Sequence, residues 1–149
     1  MAASTKMLTP ILLILVTIGS ISCHDMISQS LDGSHWQFRQ AANSTWYPAT
    51  VPGTVHTDLM ANDIIPDPYY RANWLDVQWI ETKDWQYFLT FDINDANLLT
   101  KQRQTLIFEG LDTHATVLLN QQTILQADNM FTTWQVDVTD KLKAKGNTL

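Results

Sequence analysis

Apolar and polar residues alternate along most of the chain, which is the periodicity of β-strands rather than of helices. The clearest run is residues 85–93, in which every second side chain from Trp85 to Ile93 is apolar. This run predicts a strand with one buried face. Further strands are predicted at residues 36–39, 105–111, 115–120, 123–127 and 134–138, with a hairpin turn at residues 120–122.

Only one helix is predicted, at residues 54–62, after the break made by Pro52-Gly53. Residues 63–76 are expected to be irregular because Pro66 and Pro68 disfavour regular pairing. Many short strands with a single short helix indicate an all-β fold, a β-sandwich.

The first 23 residues are typical of a secretory signal peptide, with Lys6, an apolar run at 11–18 and small residues at 19–22. The run is too short for a transmembrane helix, which needs about 20 apolar residues. Residues 24–149 are predicted to form one domain with 8 basic and 15 acidic residues. That net charge of −7 disfavours nucleic-acid binding, for which a basic face is expected.

Cys23 is the only cysteine, so the chain cannot form an internal disulfide. Its position at the predicted cleavage site also fits a bacterial lipoprotein, although Ser20 to Ser22 match such a signal poorly. The predicted location is the secretory pathway: lysosomal or extracellular in a eukaryote, periplasmic or an outer-membrane lipoprotein through Cys23 in a bacterium. Asn43-Ser44-Thr45 is an N-glycosylation sequon, meaningful if the source is eukaryotic.

Neither a metal site nor a cofactor is predicted. The histidines are scattered without a His-Glu-x-x-His pattern, and there is no second cysteine. The chain has no Gly-x-Ser-x-Gly elbow, and its five glycines form no phosphate-binding loop.

Seven short motifs follow one another along the chain: VPGTVH (51–56), IPDPYYRANWLDVQW (65–79), DWQY (84–87), FEGLDT (108–113), LN (119–120), DNMF (128–131) and DVT (137–139). In this order they resemble the N-terminal domain of the beta-mannosidases of glycoside hydrolase family 2, over residues 30–149. Two departures are present: Trp74 follows Asn73 where the family often has an acidic residue, and Asn120-Gln121 replaces the usual Asn-Gly.

This resemblance implies a jelly-roll, galactose-binding-like sandwich that packs on immunoglobulin-like and (β/α)8 barrel domains. It implies a full-length enzyme that removes terminal, non-reducing beta-D-mannose from oligosaccharides or glycoproteins. The catalytic glutamates of the family lie on the barrel, which alone takes about 250 residues. We therefore expect no catalytic residue in this chain, and we expect Glu81 and Glu109 to be surface carboxylates. Thr148-Leu149 begins a new apolar step, which predicts that the domain is C-terminally incomplete.

The aromatic residues between 69 and 79 are the best candidates for contact with a sugar, because pyranose rings stack on aromatic faces while polar groups bind their hydroxyls. Asn73, Trp74 and Asp76 are the predicted substrate-binding residues. The alternative is that these aromatic side chains pack against the sandwich or a neighbouring domain.

Two other functions stay open from the sequence alone. A free-standing, non-catalytic carbohydrate-binding module would bind mannose or manno-oligosaccharide without turnover. A regulatory fragment would instead associate with an intact enzyme.

Overall fold

The computed structural model describes residues 26–149, so the predicted signal peptide and Cys23 lie outside the described residues. Nine strands dominate the described part, and the predicted all-β class is confirmed. The strands are β1 (Gly33–Gln40), β2 (Tyr47–Val51), β3 (Trp85–Phe88), β4 (Thr90–Phe91), β5 (Thr105–Phe108), β6 (Ala115–Leu119), β7 (Gln122–Ala127), β8 (Trp134–Asp137) and β9 (Asn147–Thr148).

All strand pairs are antiparallel. The largest sheet has the order β2-β1-β3, and the other pairs are β4-β9, β5-β8 and β6-β7. Backbone hydrogen bonds join Leu89 to Leu149 in both directions, at 2.8 and 2.9 Å, and the Asn120 amide donates to the Thr148 carbonyl. Strand β9 therefore lies between β4 and the end of β6.

The run predicted as one strand at residues 85–93 is divided into β3 and β4, which pair with different partners. Its predicted inward face is confirmed, because Leu89 and Phe91 are buried while Gln86 and Thr90 are exposed. The division occurs at Leu89, where the hydrogen-bonding partner changes from β1 to the end of the chain.

The predicted helix is present as α1 (Val55–Ala61), with Thr54 as its N-cap. Thr54 accepts a hydrogen bond from the backbone of Thr57, whose side chain in turn accepts one from the Thr54 amide. Gly53 precedes the cap because a Cβ there would collide with the Thr50 carbonyl oxygen.

The prediction of a single helix was incomplete. A second helix, α2 (Asn73–Asp76), lies inside the stretch predicted to be irregular, and two 3-10 turns span Gln78–Thr82 and Ala96–Thr100. Each is about one turn long, which is too short for the apolar spacing of a helix to appear in the sequence.

Two clusters of buried residues form the core. The first lies between the three-stranded sheet and α1, around Phe38. The second surrounds Leu89, Phe91, Leu119 and Val138. Trp36 packs against both clusters, so it joins the two halves of the domain.

The Phe38 ring, which is fully buried, stacks at 5.9 Å on Trp85 and at 5.7 Å on Tyr87. Trp36, Trp85 and Trp134 lie on three of the predicted strands, and all three are half-buried. Trp134 differs from the other two in that it packs against neither core cluster; its indole donates to the Asn129 carbonyl at 3.3 Å.

Candidate functional site

Five large apolar side chains lie exposed within eleven residues, and we call residues 69–79 the aromatic segment. Their exposure ranges from 38% for Trp79 to 95% for Tyr69, and the others are Tyr70, Trp74 and Leu75. Single exposed apolar residues are common on protein surfaces, whereas a group of this size marks a contact surface.

The aromatic segment is held at both ends by buried residues. Ile65 lies before it, and Val77 and Ile80 bracket its last turn; all three belong to the first core cluster. The Trp85 indole donates to the Ile80 carbonyl at 3.1 Å, and the Trp79 ring packs on Trp85 at 6.0 Å. The segment is therefore fixed to the sheet although its middle is exposed.

Asp67 organises the start of the segment. Its carboxylate accepts from the Tyr69 amide at 2.9 Å, and its carbonyl accepts from the Tyr70 amide at 3.1 Å and from the Asn73 side chain at 2.9 Å. Arg71 has a φ of 56°, in the left-handed region that non-glycine residues seldom adopt. Together these contacts turn the chain into α2.

The structure places the three predicted sugar-contact residues on the single turn of α2. Asn73 is half-buried and its NH2 group is committed to Asp67, whereas Trp74 and Asp76 are exposed. Just before α2, the Arg71 guanidinium lies 4.9 Å from the centre of the Tyr70 ring. Residues 70–76 therefore expose aromatic rings, a carboxylate and a cation within one short segment, which is chemistry suited to a pyranose.

Two surface grooves lie away from this turn. One, of about 480 Å³, is lined by residues of β6 and β7 and by the adjoining His114 and Asp128. The other, of about 440 Å³, is lined by residues around the turn between β6 and β7 and by residues 139–143 after β8. Neither groove is lined by residues of the aromatic segment.

The two glutamates lie on different elements, Glu81 in the first 3-10 turn and Glu109 directly after β5, and both are exposed. Among residues 26–149 no three His, Cys, Asp or Glu side chains are grouped so that they could hold a metal ion. No helix in this part of the chain is long and apolar enough to cross a membrane.

A buried polar pair was not predicted from the sequence. Asp58 of α1 is 4% exposed and accepts from the Tyr87 hydroxyl at 2.7 Å and the Thr50 amide at 3.0 Å. Burial raises the pKa of the Tyr87 hydroxyl above its usual value, and the hydrogen bond to Asp58 raises it further. The one feature of the sequence that could have indicated this pair is the position of Asp58 beside Leu59, on the inner side of the predicted helix.

A second buried polar residue, Asn147, is fully buried. Its side-chain oxygen accepts from the Lys143 amide at 2.8 Å and from Asn120 at 3.1 Å, and its NH2 group donates to the Lys143 carbonyl at 2.7 Å. This asparagine ties β9 to the turn before it and to the end of β6.

Residues 36–149 match the family described as glycosyl hydrolase 2 galactose-binding domain-like. The chain belongs to this family. The resemblance inferred from the motifs and the predicted galactose-binding-like sandwich are therefore confirmed.

Relatives of this galactose-binding-like domain are beta-mannosidases. The chain is 41% identical over 138 residues to the beta-mannosidase of Bos taurus, covering 93% of this chain and 16% of the bovine protein. It is 43% identical over 118 residues to beta-mannosidase B of Thermothelomyces thermophilus, covering 77% of this chain and 14% of the fungal protein.

The crystal structure of the beta-D-mannosidase from Dictyoglomus thermophilum has the same fold. It superposes with a TM-score of 0.76 and 42% sequence identity, over 79% of this chain and 14% of that one. The chain thus corresponds to a small part, 14–16%, of each of these relatives.

Proposed function

We propose that this chain is the N-terminal domain of a retaining beta-mannosidase, which hydrolyses terminal, non-reducing beta-D-mannose residues of oligosaccharides or glycoproteins. The observation that carries this proposal is the identity to beta-mannosidases, which extends along 93% of the chain in the bovine case. Family membership alone is shared with enzymes of other specificities, so the assignment to mannosides depends on this similarity.

The chemistry is assigned to a part of the protein outside these 149 residues. A retaining glycosidase needs two carboxyl groups about 5–5.5 Å apart, one as nucleophile and one as general acid and base. Glu81 and Glu109 do not suit these roles, because both are exposed and neither lines one of the two grooves. We therefore expect the isolated chain to be inactive.

The role proposed for the aromatic segment is contact with the catalytic part of the protein. Tyr69 and Leu75 present apolar surface to solvent although both ends of the segment are fixed in the core. Covering such a surface is worth about 25 cal/mol for each Å² of apolar area removed from water. A barrel or immunoglobulin-like domain of the same protein is the proposed partner.

Within that contact, Trp74 and Asp76 are proposed to meet the terminal sugar at the barrel mouth. Their exposure supports this, because neither side chain is buried in the sandwich. Asn73 is proposed to act through its side-chain oxygen, since its NH2 group donates to the Asp67 carbonyl.

The full-length protein and the 149-residue chain, both assayed for release of 4-nitrophenol from 4-nitrophenyl beta-D-mannoside, test the assignment. We expect turnover by the first and none by the second. Proton NMR of the first-formed mannose tests the stereochemistry, and an alpha anomer there would refute retention. Turnover by the pure chain would refute the placement of the catalytic groups.

The sugar contact is tested by Trp74→Ala in the full-length enzyme. Loss of one stacking ring, worth about 0.5–1.5 kcal/mol, predicts a two- to tenfold rise in KM. Ile107→Ala is the matched control, because Ile107 is similarly exposed (58%) but lies on β5, outside the aromatic segment. Equal KM values for the two variants would remove Trp74 from the site.

The second candidate, a free-standing carbohydrate-binding module, is favoured by the exposed rings themselves. It predicts saturable heat when mannose or manno-oligosaccharide is titrated into the isolated chain. A titration without heat, together with an active full-length enzyme, would rule out the binding module and support the enzyme assignment.

The proposed location is the secretory pathway, with removal of residues 1–23. It is supported by the charge and hydropathy of the first residues. N-terminal sequencing of the mature protein tests it, and an N-terminus at Met1 would refute it.

A further inference from the structure

The turn that joins β1 to β2 carries the one N-glycosylation sequon in the sequence. Eight asparagines occur in the chain, and only Asn43 is followed by the pattern x-Ser or x-Thr. Residues 41–45 are all exposed and belong to neither core cluster.

The local geometry leaves the Asn43 side chain available. Its backbone amide closes the turn by donating to the Gln40 carbonyl at 2.9 Å. Its side-chain nitrogen has only a long contact, 3.4 Å, with the side-chain oxygen of Gln40. A substituent on that nitrogen would therefore displace no buried group and break no bond of the sheet.

Beside the turn lies an aromatic surface on the outer side of the sheet. The Trp46 ring packs on Phe88 at 5.6 Å, and the Arg39 guanidinium lies 4.4 Å from the Trp46 ring centre. Arg39 is itself held by Gln86, whose side-chain oxygen accepts from its Nε at 2.8 Å. These contacts hold the aromatic side chains beside the turn in place, so the exposed residues 41–45 stand clear of the packed part of the sheet.

We propose that Asn43 carries an N-linked glycan when the chain is made in a eukaryotic secretory compartment. The side-chain nitrogen forms a bond to C1 of an N-acetylglucosamine, and the bond from C1 to the pyrophosphate of a lipid-linked oligosaccharide breaks. The amide loses one proton, and the lipid pyrophosphate leaves. This inference rests on the proposed secretory location.

A glycan at this position makes the connection between β1 and β2 a solvent-facing corner of the intact protein. A large hydrated oligosaccharide cannot be buried under a neighbouring domain. The aromatic segment, which contains no sequon, stays free for domain contact.

The test is expression of the full chain, with its own first residues, in a eukaryotic secretory host. We expect a mass that falls by one glycan on treatment with peptide-N-glycosidase F, with Asn43 converted to aspartate in the mass spectrum. Asn43→Gln and Thr45→Ala should abolish this change. Ser44→Ala, at the unconstrained middle position, and Asn129→Gln, outside any sequon, should retain it.

A parallel expression behind the host's own signal peptide separates this inference from the secretory proposal. If the native leader stays uncleaved but the host leader yields a glycan at Asn43, the secretory proposal fails and the site is correct. If the chain enters the secretory pathway and Asn43 remains unmodified, or if the mass change persists in Asn43→Gln, the inference is wrong.

Discussion

Replacing Tyr87 with phenylalanine removes a single hydroxyl from the contact between β3 and α1. That hydroxyl donates to the Asp58 carboxylate at 2.7 Å, and Asp58 is 4% exposed. The ring itself, which stacks on Phe38, is kept in the variant. The substitution therefore isolates the hydrogen bond from the packing.

The expected cost follows from the burial of the acceptor. A hydrogen bond to a charged group is worth about 1.5–3 kcal/mol, and an acceptor left unsatisfied in the interior adds its desolvation penalty. Asp58 keeps one partner, the Thr50 amide, which limits the loss. We expect Tyr87→Phe to lower the free energy of unfolding by about 2 kcal/mol.

The assay is urea unfolding followed by tryptophan fluorescence. With the slope usual for small domains, a loss of this size lowers the midpoint by about 1 M urea. Tyr47→Phe is the matched control, because the Tyr47 ring also contacts Phe38 but its residue is 36% exposed. We expect that control to change stability by less than about 0.5 kcal/mol.

A double-mutant cycle tests whether the hydrogen bond between Tyr87 and Asp58 is responsible for the loss of stability. In an Asp58→Ala background, Tyr87→Phe should cost less than about 0.5 kcal/mol, because its partner is already absent. An unchanged cost in that background, or equal losses for the Tyr87 and Tyr47 variants, would refute the reasoning.

The same hydroxyl predicts a loss of stability in alkali. A tyrosine whose pKa is raised on folding contributes stability that is present below its usual value of 10.0 and is lost as the pH rises above that value. Stability should therefore decline above about pH 10 in the native chain. The decline should be smaller in Tyr87→Phe, as measured by urea midpoints across that range.

The remaining predictions use the same unfolding assay. Asn147→Ala should cost about 2–4 kcal/mol, because it removes a fully buried side chain that pairs with both the amide and the carbonyl of Lys143; a loss below about 1 kcal/mol would refute that role. Gln121→Gly should stabilise by about 0.5–1 kcal/mol, because Gln121 has a φ of 69° in a two-residue hairpin turn; no gain would argue against that turn. Thr54→Ala should cost about 1 kcal/mol through the lost helix cap, with Thr54→Ser as the neutral control. Hydrogen bonds donated by Thr139 hold the pKa of Asp137 below its usual 3.8. The stability that this carboxylate contributes is therefore present above that pH and is lost as the pH falls below it. The free energy of unfolding should fall less steeply with acid in Asp137→Asn than in the native chain.

Strands with one buried face could be predicted from the sequence, because burial on one side imposes a period of two. This holds for β6 and β8, in which less and more buried side chains alternate along the strand. Strand β2 was not predicted, because a proline such as Pro48 is unusual inside a strand. Proline is tolerated there because β2 is an edge strand of its sheet. The change of partner at Leu89 was also missed, since it depends on residues 60 positions away.

The position of the candidate site along the chain could be predicted from its composition. Which of its side chains face the core and which face solvent could not. Tyrosine and tryptophan between residues 69 and 79 fit both burial and exposure, and only the tertiary structure shows that Ile65 and Val77 are inside while Tyr69 is outside. The hydrogen bond from the Asn73 side chain to the Asp67 carbonyl forms across a turn in which Arg71 has a left-handed backbone conformation. Nothing in the neighbouring sequence predicts that conformation.

The pairing of Thr90 with Thr148 also dictates an order of events during synthesis. Every buried residue of the first core cluster precedes residue 81, and the sheet that covers it is complete at Phe88. Strand β4 can pair only after its partner has been synthesised, 58 residues further along the chain. At about 5–20 residues per second, that interval lasts roughly 3–12 seconds, during which Leu89 and Phe91 have left the ribosome without their final neighbours. The nascent chain therefore exposes an apolar, unpaired strand throughout that interval.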